Sequence, residues 1–400
     1  MNVAEAAYFD NAATTPLDPR VLEAMMSFAC GAFGNPSSLH AYGREAREAV
    51  EIARGQVAGL IGASSDEIVF TASGTEADNL ALIGAVGAYT AAGCHIITSA
   101  IEHPAVLETC RFLQQSGAQI DYLPVDSEGI VDPSSLECAL RPNTRLVSVM
   151  AANNVVGTLQ PIAELGRIAR AHGALFHTDA VQAAGKIPLD VSSRPIDLLS
   201  LSAHKLHGPK GVGALFVRSG VPLSPIIRGG GQERGLRSAT ENVPGIVGLG
   251  CAVEIAKAEL PQETRRVVAL RDLIVDTLAE TIPNSYLIGS RHCRLPGHVC
   301  LGFAGQEGEA IRLLLALDEA GIAVSSGSAC SSIHGSEPSH VLRAMGFDPV
   351  RARGSLRITL GRFNTEEQVR HLLSVLPEVV AGLRSITAGT TVYPVNRSMV

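Results

Sequence analysis

The chain has 400 residues, 46% of them hydrophobic, so it can bury a large core, and its length points to two or three domains. A formal charge of −7 without lysine or arginine runs gives no basic field for nucleic acid or an anionic membrane, and a small ligand is the expected partner. Eight cysteines are scattered without a C-x-x-C pair in a chain too long to need disulfide staples, which points to a reducing, cytoplasmic setting.

The N-terminal "MNVAEAAYFDNAATT" lacks the basic and apolar regions of a signal peptide. From about residue 60 to 220, β-rich runs alternate with helical patterns: "HIITSA", "QIDYLPVD", "TRLVSVMAA", "GALFHTDA", "DLLSLSAH" and "GALFVR", with "PAVLETCRFLQQSG" and "PIAELGRIARAHG" between them. This rhythm predicts a mainly parallel sheet with helices on both faces, whose ligands gather at the carboxyl ends of the strands. Asn79 to Ile101 is long and free of charge, but its Ala/Gly content and Gly93 read as a helix followed by a buried strand, not a membrane span.

Four pieces of this region carry chemistry. "TASGTEADN" opens a helix with small and hydroxyl residues, and Gly74 and Thr75 form a cup for a phosphate at its N-terminus; alone, such Ser/Thr-Gly caps are common. In "IEHPAV", His103 follows a strand and precedes Pro104, so it either caps a helix or stacks on a ring and moves protons. "FHTDAVQ" delivers Asp179 to a strand end with Gln182 three residues on; Asp179 is a helix cap or a buried carboxylate that needs a cation. In "SLSAHKLHGPKGVG", Lys205 at a strand end is a candidate for a Schiff base, whereas Lys210 in the turn reads as a solvated lysine. A lysine bound to pyridoxal phosphate, with an aspartate on the pyridinium nitrogen, is one chemistry that unites these residues.

The polar, glycine-rich "RGGGQERGLRSATEN" ends the alternating region, and a helical pattern runs from Val243 to about Ile282. A second, α+β pattern follows: a strand at "HVCLGF", helices at "GEAIRLLLALDEAG" and "SHVLRAMG", a strand at "SLRITLG" and a helix from Thr365. His292, Cys293, His298 and Cys300 cluster in "RHCRLPGHVC", but their spacing matches no zinc pattern and no metal is expected. Within this domain "SSGSACSSIHGSEPSH" places Cys330 among serines and glycines, an unusual setting for a cysteine and one suited to a thiol that must move and react. Residues from about Thr387 read as a frayed tail.

"DNAATTPLDPRVLEAM", "FGNPSSLHAYG", "SGTEADN", "EHPAV", "HTDAVQAAGK", "SAHKLHGPKGVGAL", "RGGGQERGLRSATEN", "SSGSACSS", "EPSHVLRAMG" and "LRITLGRFNTEEQV" together resemble the cysteine desulfurases of the nitrogen-fixation and iron–sulfur-assembly type, group I of the class V, fold-type I pyridoxal phosphate enzymes. The resemblance runs from about residue 8 to 380. It implies a large domain over residues 15–260 with a mainly parallel seven-stranded sheet, a small α+β domain from 1–14 and 261–385 that carries the cysteine loop, and a flexible tail over 386–400. It also implies that Lys205 binds pyridoxal phosphate, Asp179 pairs with the pyridine nitrogen, Gln182 bonds the ring oxygen and His103 stacks on the ring. Gly74, Thr75, Ser202 and His204 would hold the phosphate, with Thr240 reaching in from the second subunit of a homodimer. Asn154, also a cofactor contact, and Arg357 would engage the substrate, Arg357 by pairing with the substrate's carboxylate, and Cys330 would be the nucleophile.

The activity implied is removal of sulfur from L-cysteine, giving alanine and a Cys330 persulfide destined for an iron–sulfur scaffold or another sulfur acceptor. The alternatives are a selenocysteine lyase or aminotransferase on the same fold, and a non-catalytic sulfur-relay scaffold. Two departures stand out: Val155 in "NNVVG" replaces the family's usual glutamate, and the loop after Cys330 is one residue longer than usual.

Overall fold

Strands rich in Ile, Leu, Val and Phe, followed by amphipathic helices, are the units from which the chain builds its larger sheet. The computed structural model describes residues 6–87, 93–306, 309–327 and 338–389. In chain order its elements are β1 (Ala7–Tyr8), α1 (Pro19–Met26), α2 (Ala41–Ile61), β2 (Ile68–Thr71), α3 (Gly74–Gly87), β3 (His95–Ser99), α4 (Pro104–Gln115), β4 (Gln119–Leu123), α5 (Pro133–Ala139), β5 (Thr144–Ser148), α6 (Ile162–His172), β6 (Leu175–Asp179), β7 (Leu198–Ser202) and β8 (Gly213–Val217). There follow α7 (Val243–Thr281), β9 (Ser285–Leu287), β10 (His298–Phe303), α8 (Ala310–Glu319), β11 (Ile322–Ala323), β12 (Ser325–Ser326), α9 (His340–Ala344), β13 (Ser355–Thr359) and α10 (Glu366–Gly389). The last helix thus runs on into the stretch read from sequence as a tail. Among the described residues no helix is long and apolar enough to cross a membrane.

The seven-stranded sheet has the order β2-β8-β7-β6-β5-β3-β4, with β8 antiparallel to both its neighbours and the other pairs parallel. Successive residues of each strand feed opposite cores. Ile96, Leu146 and Leu198 pack with α3 and α4 on one face, and Ile97, Val147, Phe176 and Leu199 pack with α2, α6 and the first half of α7 on the other. Burial on both faces explains why these strands read as continuous apolar runs. From β3 the chain moves outward to β4, then returns past β3 to β5 and continues the other way. Connections after β3 and β5 therefore diverge, opening a crevice at their carboxyl ends.

The smaller unit is an antiparallel sheet, β12-β13-β10-β9, joined by a short parallel pair between β1 and β11. Helix α7 serves both units. Val243 to Val253 lie in a core of the large sheet and Val267 to Leu278 in that of the small one, with Pro261 between them. The N-terminal segment ties the units together: Thr359 N donates to Phe9 O at 2.7 Å, and Asn11 Nδ2 to Thr359 O at 2.7 Å.

Candidate active site

Strand β7 ends at Ser202 and a single 3-10 turn, Ala203–Lys205, turns the lysine back across the sheet's carboxyl edge. Lys205 Nζ donates to the carbonyls of Ala12 and Ala13 at 2.5 and 2.7 Å. Gln182 Nε2 donates to the same Ala12 oxygen at 2.9 Å, so the N-terminal segment forms one wall of the site. On the neighbouring strand, Asp179 ends β6 and accepts from Val181 N at 2.9 Å. Burial pushes its carboxyl up, against the pull of His103 and Lys205. The carboxylate sits where a bound cation would offset its desolvation.

His103 is at once a helix cap and a cavity residue. Its Nδ1 accepts from Ala105 N at 3.1 Å at the start of α4, which leaves Nε2 to carry the proton of the neutral ring. Burial holds it below the usual histidine range, so it is a neutral acceptor or donor near pH 7. Gly74 begins α3 against the turn that follows Asp179: a Cβ there would come within 2.6 Å of Val181 Cγ2, so glycine lets the helix N-terminus close on the site. His204 touches Thr14 Oγ1 through Nδ1 at 3.2 Å, and burial, reinforced by Lys205, pushes its ring down to about 4.

Arg357 lies on β13 and is 2% exposed. Its Nη1 donates to Asn154 O at 2.9 Å and its Nη2 to Asp10 Oδ1 at 2.8 Å, while Nε is buried without a hydrogen-bond partner. Asn154 therefore meets Arg357 through its backbone carbonyl, and Asp10, to which the sequence reading gave no role, braces the guanidinium. Gly74, Thr75, His103, Asn154, Asp179, Gln182, Ser202, His204, Lys205 and Arg357 all line one cavity of about 340 Å³. Thr240 does not; it lines a separate cavity of about 140 Å³ beside Phe70 and Glu233. Cys330 and the longer loop after it lie outside the described residues.

Val155 is buried in an apolar cluster with Ile101, Met150, Val156 and Ile288, an environment in which a glutamate would be an unpaired charge. Among the described residues no group of His, Cys, Asp or Glu side chains is placed to hold a metal.

Glu102, beside the catalytic candidate His103, is a group the sequence reading passed over. It is fully buried, and its Oε1 accepts from Ser99 Oγ at 2.6 Å and Met150 N at 2.9 Å, while Oε2 has no hydrogen-bond partner. Burial pushes its carboxyl from 4.5 up to about 8. The folded protein therefore holds a proton that the unfolded chain releases, so this stabilisation is complete below pH 4.5 and is lost as pH rises through about 8. Glu102→Gln mimics the protonated acid. Its urea midpoint should gain on the wild type as pH rises from 5 to 8, by the equivalent of about 1–3 kcal/mol.

The donor set fits pyridoxal phosphate. A lysine amine, a buried carboxylate, a helix N-terminus approached only through glycine, and a buried arginine surround a space of cofactor size. Comparison with known proteins bears on the same point. The model of the aminotransferase class-V family matches residues 7–372. A cysteine desulfurase IscS of Dictyoglomus turgidum is 50% identical over 390 residues, 98% of both chains. A cysteine desulfurase of Gluconacetobacter diazotrophicus is 50% identical over 386 residues, 96% of this chain and 95% of its own. Among solved structures, a NifS-like protein superimposes with a TM-score of 0.88 at 42% identity, covering 94% of this chain and 100% of that one. The protein described as SspA in complex with cysteine reaches a TM-score of 0.80 at 39% identity, covering 90% and 100%. With a lysine, an aspartate and a glycine-opened helix set around one cavity, and with half its residues shared across nearly the whole length of such relatives, the chain belongs to the pyridoxal phosphate-dependent class-V aminotransferase family, among its cysteine desulfurases.

Proposed function

We infer that the protein takes sulfur from L-cysteine, leaves L-alanine, and passes the sulfur through Cys330 to an iron–sulfur scaffold or another acceptor protein. The observation that carries this reading is the convergence of Lys205, Asp179, His103 and Arg357 on a single cavity. Pyridoxal phosphate, when bound, supplies an electron sink for the bonds at the substrate's α-carbon.

Lys205 Nζ, held by two carbonyls, is the amine that would hold the cofactor covalently. Asp179 would hold the pyridine nitrogen, where a positive charge would offset the carboxylate's desolvation. The α-helix that begins at Gly74, with Ser202 and the neutral His204, holds the phosphate. Arg357, which lines the cavity, receives the substrate carboxylate through its guanidinium. His103 moves a proton through Nε2, because Nδ1 is committed to the helix cap.

Cys330 is assigned by the resemblance. Its thiolate attacks the substrate Sγ, the Cβ–Sγ bond breaks with its electron pair left on carbon, and a proton then caps Cβ to give alanine. The products are alanine and a Cys330 persulfide, with no external oxidant consumed. The separation of Thr240 from the cavity of its own chain supports its use by a second subunit of a homodimer; the scattered, unpaired cysteines are what support a cytoplasmic setting.

The test is the purified, cofactor-loaded protein incubated with L-cysteine. Alanine and sulfur should appear in equal amounts, with the persulfide mapped to Cys330 by mass spectrometry. Selenium release from selenocysteine with no sulfur release from L-cysteine, or transamination without sulfur release, would replace this reading with one of the other activities of the fold.

A further inference from the structure

Only four of the chain's 32 lysines and arginines are lysines: Lys186, Lys205, Lys210 and Lys257. The last two are exposed, while Lys186 and Lys205 are partly buried near one another. Lys186 ends the tight turn after β6, with its N bonded to Ala183 O at 3.0 Å. Its Nζ donates to Gln182 Oε1 at 3.3 Å, while Gln182 Nε2 donates to Ala12 O, the carbonyl that Lys205 Nζ also uses.

An amide with Oε1 engaged by an ammonium and one N–H spent on Ala12 has a single group left for the cavity it lines, its second N–H. Lys186 and Lys205 also share a smaller cavity of about 40 Å³, lined as well by Glu263, His207 and Arg362, with room for ordered water.

We propose that Lys186 is a positioning residue of the cofactor site: it locks the Gln182 amide with its NH2 toward the cofactor, and its charge opposes positive charge on Lys205. The proposal rests on the cofactor reading above.

The surroundings make such opposition effective. Burial first, then Lys205, pushes the Lys186 ammonium down to about 7; Arg357 acts the same way, and Glu263 is the carboxylate that opposes them. The nearby rings of His204, His207 and His298 are all held below the usual histidine range by burial, with Lys186 contributing, so near neutrality they add no charge. A donor on the cofactor's ring oxygen and a cation beside Lys205 both disfavour a proton on the lysine–cofactor linkage. Losing Lys186 removes both, and the two effects have the same sign.

The test is a pH titration of the absorbance of the Lys205-bound cofactor in the holoenzyme. Lys186→Met should raise the midpoint by about one pH unit, and Lys186→Arg, which keeps a cation and a donor, should hold it at or below the wild-type value. A lysine that merely fills space would alter stability and leave the midpoint unmoved, and an unmoved midpoint in a cofactor-loaded Lys186→Met protein overturns the proposal.

A second measurement needs no variant. In wild-type holoenzyme carrying 13C-dimethylated lysines, the Lys186 resonance should titrate well below the ordinary lysine value. Titration of Lys186 at the ordinary lysine value also overturns the proposal. Failure of the cofactor reading itself would look different, since no lysine-linked absorbance would be present to titrate.

Discussion

Lys205→Ala is expected to reduce sulfur release from L-cysteine by at least about 10³-fold and to abolish covalent attachment of the cofactor. Lys205 Nζ is the amine poised at the cavity by the Ala12 and Ala13 carbonyls. Lys186 is the other amine nearby, but its Nζ is directed at Gln182 Oε1 and it does not line the larger cavity. It is therefore not expected to substitute. Borohydride reduction followed by peptide mapping checks this: wild-type protein should carry the cofactor on Lys205, and the variant should carry none. Cofactor trapped on Lys186 in the variant, with activity retained, would show that the site tolerates a second point of attachment.

Glu233→Ala is expected to cost about 3–5 kcal/mol of stability, the largest effect we anticipate away from the cavity. Glu233 is 7% exposed and its carboxylate takes Arg54 Nη1 at 2.7 Å and Nη2 at 2.8 Å, and it also accepts from Phe70 N at 2.8 Å. Removing it leaves the buried Arg54 guanidinium with only Glu51 and the Ile68 carbonyl as partners. It also frees a turn in which Glu233 and Arg234 both have positive φ, +48° and +56° for non-glycine residues. This turn belongs to "RGGGQERGLRSATEN", and a few residues on Arg237 Nε bonds Glu76 Oε1 at 2.8 Å in the first turn of α3. Loosening the loop should therefore weaken cofactor retention as well as lower Tm. Replacing both Arg54 and Glu233 by methionine should recover part of the loss, because no lone buried charge then remains. Equal destabilisation of the single and double variants would show that the pair contributes through packing alone.

Much of the site is legible in the amino-acid sequence because its residues punctuate a strong pattern. Asp179 and Lys205 terminate apolar runs, His103 stands at the start of an amphipathic helix and Gly74 at the start of one buried nearly all round. A sheet covered on both faces leaves only its carboxyl edge open to a ligand, so the ends of successive strands converge there. The partners of those residues are not legible in the same way. Asp10 and Arg357 are 347 positions apart, Ala12 and Lys205 193, and Arg54 and Glu233 179. No local periodicity carries information about such pairs.

Lys186 shows the boundary between the two kinds of knowledge. Its rarity in an arginine-rich chain can be read from the sequence, but its hydrogen bond to Gln182 and its proximity to Lys205 require the turn after β6 to fold beside the turn after β7. Glu102 is similar, since nothing in "IEHPAV" says that the carboxylate points inward. By itself the sequence determined the alternation of strands and helices from about residue 60 to 220, the residues at those strand ends and the resemblance to the cysteine desulfurases, because these depend on local spacing and residue type. The tertiary structure alone decided which charges face one another, which carboxylates are buried and which amines share a cavity, because hydrogen bonding and desolvation depend on distance in space and not on distance along the chain.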